Sequence, residues 1–179
     1  MIHERNGQSS VFTGLMQTVM AKRIMSGLLI LWVIITGSNI SGGENPHLFS
    51  TGRTMEIDRL ASAWLIKRYV DHQADFIFFP DGELIKAGTA FDTPDARFCR
   101  THNRSTFEIL MQHYKVGDSR LDPLAQAIHE IEINYWSGKK GPLANALTLK
   151  LNALIRENPN PVECLKQSFI IFDAIVKER

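Results

Sequence analysis

The sequence predicts an α+β fold: a predominantly helical single domain with a small sheet near its start. Three observations carry this expectation. Apolar residues recur at three- and four-residue spacing after Asp58 and again from Phe107 onward, the periodicity of half-buried helices. The run Asp75-Phe76-Ile77-Phe78-Phe79-Pro80 is aromatic and β-branched and ends in proline, as a buried strand does. With 44% hydrophobic and 22% charged residues over 179 positions, the chain has the balance of a folded protein.

The elements follow in order. Lys22-Arg23 precedes the apolar stretch Ile24 to Ile35, and Thr36-Gly37-Ser38 follows it. A basic stub, a dozen apolar residues and small residues at the exit are the plan of a signal peptide. Residues 24–40 are also uncharged and long enough for a membrane anchor. Residues 1–41 are therefore expected to be a leader, either signal peptide or anchor, with Met20 as the better start. The domain is then exported to the periplasm or membrane-anchored, and cytoplasmic only if the leader is not part of the translated protein. Ser41 to Pro46 reads as a connector.

A short strand is expected over His47–Thr51, then a helix over 59–71. Asp58 stands at the N-cap, and Leu60, Ala61, Trp64, Leu65 and Tyr69 form the apolar face. After the strand at 75–80, Asp81-Gly82 turns the chain, Leu84–Ala87 reads as a strand or short helix, and Ala90–Asp92 is extended. Ala96–Cys99 reads as an edge strand. Ser105-Thr106-Phe107-Glu108 has the form of a capping box and opens a helix. Asp122-Pro123 starts the next, with proline in its first turn. Leu143–Ile155 and Val162–Val176 complete two more, separated by Asn158-Pro159-Asn160-Pro161.

Composition narrows the function. The net charge is +1, and without residues 1–41 the remainder holds 17 basic and 18 acidic residues, so no nucleic-acid partner is expected. Two cysteines, Cys99 and Cys164, are too few for a disulfide scaffold or a thiolate zinc site. A single bond between them would need export; otherwise Cys164 is a small buried side chain on its helix.

Three groups of residues bear chemistry. Asp58 with Arg59 comes first: an inward-facing guanidinium offers a planar fork for an oxyanion, whereas an outward one is only solvated. Next is Arg97-Phe98-Cys99-Arg100-Thr101-His102-Asn103-Arg104, three arginines and a histidine just before a helix start, either an anion site or a solvated basic loop. The last is His129-Glu130-Ile131-Glu132. Its His129 and Glu132 stand one helical turn apart, either able to share a metal ion or simply a solvated face. If His102 and His129 line one cavity with Glu108 and Glu132, they make a site of two imidazoles and two carboxylates. Manganese, iron or zinc suits such a set. Glu108 has a competing role as capping-box partner of Ser105.

Asp58-Arg59-Leu60-Ala61-Ser62-Ala63-Trp64-Leu65-Ile66-Lys67-Arg68-Tyr69-Val70-Asp71 resembles the signature of the chromate-resistance family with a ChrB-type C-terminal domain. The resemblance covers residues 48–177. It extends to His102 before Ser105–Glu108, and to His129–Glu132, where glutamates stand for the family's two aspartates. Phe172-Asp173-Ala174-Ile175 matches near the end. It implies a protein that binds a metal ion or a small inorganic oxyanion and supports chromate efflux or detoxification. A metal-dependent redox or hydrolytic enzyme is the alternative, with Glu130 or Glu108 moving protons. The implied divalent metal site is His102, Glu108, His129 and Glu132. Asp58, Arg59, Glu130 and Asp173 are the implied oxyanion or substrate residues, with Asp173 as the partner of a buried Arg59. Two departures, the arginine-rich loop 97–104 and Gly141-Pro142-Leu143 in place of a glutamate-glycine segment, touch the expected pocket. The sequence does not fix the oligomeric state.

Overall fold

The computed structural model describes residues 45–177; the leader expected over 1–41 lies outside the described residues. Strand β1 (Leu48–Gly52) is the centre of a three-stranded parallel sheet of order β2-β1-β3. It pairs along its whole length with β2 (Asp75–Phe79), from Leu48 opposite Asp75 to Gly52 opposite Phe79. The third strand, β3 (Thr89–Ala90), adds only Phe49 opposite Thr89 and Ser50 opposite Ala90. Parallel neighbours need a crossover, and helix α1 (Ile57–Leu65) supplies it between β1 and β2.

The sequence predicts a half-buried helix over 59–71. The structure differs twice. All nine residues of α1 are buried, Asp58, Arg59 and Ser62 among them, because those polar side chains find partners inside the domain. Beyond Leu65 the chain widens into a π-helical turn, Ile66–Val70, closed by the Asp71 N–H on the Ile66 carbonyl at 2.8 Å. The wider turn stacks residues five apart, which explains how the Tyr69 ring meets Trp64 edge-on at 5.6 Å.

Strand β2 is half-buried rather than buried, since it lies at the sheet's edge. Leu84–Ala87 forms neither strand nor helix, and Ala96–Cys99 is reduced to a single bridge between Phe91 and Phe98. Between them, Gly88 has φ +74°, and a Cβ there would sit 2.7 Å from the Leu48 carbonyl oxygen. Only glycine lets the chain pass this close to β1.

The helical half follows. Helices α2 (Thr106–His113), α3 (Asp122–Glu132), α4 (Pro142–Glu157) and α5 (Pro161–Lys177) are joined by 3-10 turns at Ser119–Leu121 and Tyr135–Ser137 and by a short loop. The capping box at α2 is present in both directions: the Glu108 N–H donates to Ser105 Oγ at 3.2 Å, and Glu108 Oε2 accepts from the Ser105 N–H at 2.8 Å. Helix α1 packs against α2 and α5 and touches α3 and α4, so its side chains form the middle of the core. Trp64 is 1% exposed and lies 5.6 Å from the Phe172 ring of α5. Among the described residues no helix is long and apolar enough to cross a membrane.

Candidate functional site

All three strands end on one side of the sheet, where α1 begins. Two cavities open there, of about 470 and about 330 Å³, with Glu56, Arg59, Thr93 and Pro94 on the walls of both. The larger adds Gly52, Thr54 and Asp81; the smaller adds Asp92, Cys99 and Arg100. In parallel sheets the carboxyl ends of the strands are where ligands bind, because backbone N–H groups and helix starts converge there.

Arg59 does point inward, and it is 6% exposed. Its Nη1 donates to the Thr54 carbonyl, Nη2 donates to the Asp92 carbonyl at 2.6 Å, and Nε lies 3.2 Å from Asp92 Oδ2. Asp92 holds a left-handed backbone (φ +50°), which aspartate tolerates better than most residues, and its Oδ1 accepts from Thr106 Oγ1 at 2.7 Å. The expected partner, Asp173, is instead on the far side of α1. It accepts from Trp64 Nε1 at 2.9 Å and from Arg68 Nε and Nη2 at 3.0 and 2.7 Å. Position 92 follows Phe91 directly at the end of β3, so the fold delivers it to Arg59; Asp173 lies on α5.

Gly52 makes room for this arrangement. A Cβ there would meet Asp81 Oδ1 at 2.8 Å and the Arg59 guanidinium at 3.2 Å. Asp81 accepts from the Thr54 hydroxyl, and that bond, with Arg59 adding to it, holds its carboxyl below the usual carboxylate range.

The carboxylates expected as ligands cap helix ends. Asp58 is not the N-cap of its own helix; Glu56 takes that position. Instead Asp58 accepts the Thr106 and Phe107 N–H groups of α2 at 2.6 and 2.9 Å. Burial and the nearby Asp92 charge push Asp58 up to about 8, against the pull of those two donors. Glu130 accepts from the Gly141 N–H at 2.6 Å, at the start of α4 and away from Arg59's partners. Glu132 takes the Arg100 Nη1 at 2.8 Å and a hydrogen bond from the Asp58 backbone; burial raises it above its ordinary value. Through this contact Arg100, half exposed, is held at the smaller cavity, with Glu56 3.7 Å away.

Of the four residues expected around a metal, the structure joins two. His129 Nδ1 lies 3.0 Å from Glu108 Oε2. His102 is exposed on the turn closed by the Thr101 N–H and the Arg104 carbonyl at 2.9 Å, and Glu132 is committed to Arg100. Among the described residues no three His, Cys, Asp or Glu side chains stand ready to share one ion. Cys99 and Cys164 are both free thiols, and Cys164 is buried on α5 as expected.

Sequence reasoning missed Asp92, Thr54 and Asp81, none of which sits in a motif. Arg100 was signalled only as one of three loop arginines. Of the other two, Arg97 stacks on Phe98 and Arg104 bonds to Gln112.

Fold and site together define a small α+β domain with a polar, arginine-bearing cavity at the carboxyl ends of a parallel sheet. The chain belongs to the family described as ChrB, C-terminal domain, which matches residues 49–178. It is 30% identical over 87 residues to Protein ChrB of Cupriavidus metallidurans (strain ATCC 43123 / DSM 2839 / NBRC 102507 / CH34). That match spans 48% of this chain and 27% of the relative, so the chain covers about a quarter of the relative's length. No solved structure matches significantly. Membership in this family points to a role related to chromate resistance.

Proposed function

We propose that the domain supports chromate resistance by binding a small tetrahedral oxyanion, chromate foremost, in the joined cavities at the start of α1. One observation carries this reading: Arg59 and Arg100 line the same cavity. Arg59 is the fixed donor, oriented by Thr54 and Asp92 so that its remaining N–H groups need no reordering on binding. Arg100 is the adjustable one, half exposed and able to trade Glu132 for the ligand. Both guanidinium charges are shared with acids, which favours a reversible carrier or sensor over a tight sink. Titrating the full protein with chromate and with sulfate tests this, beside Arg100→Gln and Arg59→Lys. Each substitution removes part of a charge-assisted contact and is expected to weaken binding about tenfold. Equal affinity in wild type and both variants overturns the reading.

The metal-dependent alternative has one observation in its favour, the Glu108–His129 contact, which leaves Nε2 of the imidazole for a ligand. It needs donors that the described residues do not bring there. Elemental analysis of wild type and His129→Ala decides it; the two-donor arrangement predicts equal metal content.

A further inference from the structure

We infer that β2 is a dimer seam, through which two copies of this chain pair antiparallel about a two-fold axis at Ile77. The backbone register carries the argument. The Asp75 N–H donates to the His47 carbonyl and the Phe79 carbonyl accepts from the Arg53 N–H, both at 2.8 Å. Alternate residues of a parallel strand serve one neighbour, so Asp75, Ile77 and Phe79 turn their backbone groups toward β1, and Phe76 and Phe78 turn theirs outward. Among the described residues no strand lies on that side.

These outward groups complement a copy of themselves. Phe76 and Phe78 flank Ile77 symmetrically. In an antiparallel pair, facing residues exchange two hydrogen bonds. An axis at Ile77 sets Phe76 of each copy against Phe78 of the other and satisfies every outward N–H and carbonyl of both residues. The side chains agree. Phe76 and Phe78 line an apolar groove of about 250 Å³ with Leu165 and Phe169 of α5, where the Phe76 and Phe169 rings meet edge-on at 6.5 Å. Facing Phe76 and Phe78 rings would form cross-strand aromatic pairs on that face.

Charge fits as well. No charged residue stands between Asp75 and Asp81, although exposed edges are usually guarded by one. Lys67 and Lys166 border the groove, and the antiparallel arrangement puts Asp75 of the two copies at opposite ends of the seam, so acid does not face acid across the axis. The sheet's other edge, β3, is two residues long and offers no second seam, so the assembly closes at two copies.

Site-specific cross-linking of the full chain tests this, with Cys99→Ser as background. Opposed residues at a non-hydrogen-bonded antiparallel position lie about 4.5 Å apart at Cα, within disulfide range. Under mild oxidation Ile77→Cys should give about tenfold more covalent dimer than Leu84→Cys, whose site is 67% exposed but off the seam. Ile77→Lys should sediment as a monomer with the wild-type helical spectrum. Absent or equal cross-linking at the two positions overturns the proposal. So does a dimer that survives Ile77→Lys, which would place self-association on another surface, or a monomeric wild type, which would leave the edge to another segment of the chain.

Discussion

Asp58 and Thr106 are joined by a 2.6 Å hydrogen bond from backbone N–H to a buried carboxyl oxygen, across 48 residues of chain. With Phe107 on its other oxygen, Asp58 closes the start of α2 from inside α1 and so couples the crossover helix to the helical half. Loss of a buried helix cap that accepts two N–H groups costs about 2–4 kcal/mol. Asp58→Ala should lower unfolding stability by that much in urea denaturation. Asp58→Asn, which keeps one acceptor oxygen, should lose less.

The same residue sets a pH dependence. Asp58 stands at about 8 in the fold against an ordinary 3.8. Between those values the folded state holds a proton that the unfolded chain has released, so stability falls as pH rises through the window. Urea midpoints of wild type should decline between pH 5 and 8 relative to Asp58→Asn, in which the group cannot titrate. Parallel pH profiles for the two proteins would refute the assignment.

What the sequence made legible was local. The capping box at Ser105, the proline at 123 and the aromatic run of β2 mark their elements because each acts within a few residues, whereas Pro142 and Pro161, expected in the breaks between helices, are their first residues. Arg59 was legible as a candidate fork, with its direction open, and its partner was not legible. Asp92 belongs to no motif, and only the β3 pairing brings it across to α1. The capping bonds of Asp58, Glu130 and Glu132 were not legible either, because a carboxylate that caps a distant helix has no periodic signature. The π-helical turn is likewise invisible, since the apolar spacing through Tyr69 suits an ordinary helix.

Asp173 separates the expected pairing from the observed one. Its carboxyl is held below the ordinary range by the Arg68 hydrogen bonds, with Trp64 Nε1 adding to them. A depressed acid stabilises the fold above the ordinary carboxylate range and loses that contribution as pH falls through it. Asp173→Asn should therefore flatten the acid limb of a stability profile followed by Trp fluorescence. Because Arg59 binds Asp92 instead, the substitution should leave oxyanion affinity unchanged; a tenfold loss would restore Asp173 to the cavity.

Gly52 offers the sharpest test of the cavity, because it acts on Arg59 without removing a charge. An added methyl there must displace the Asp81 carboxylate at 2.8 Å and press on the guanidinium at 3.2 Å. Asp81 is the far end of an exposed side chain and can swing away. Arg59 is fixed on three sides and cannot retreat without breaking its bonds to Thr54 and Asp92. The strain therefore falls on the donor that the oxyanion would use. Gly52→Ala should weaken chromate binding about tenfold while costing roughly 1 kcal/mol of stability, as a small overpacking does. Titration and urea denaturation of the same preparation read both quantities. Full affinity in a folded Gly52→Ala protein would mean that Arg59 is a structural ion pair and not a ligand-binding group.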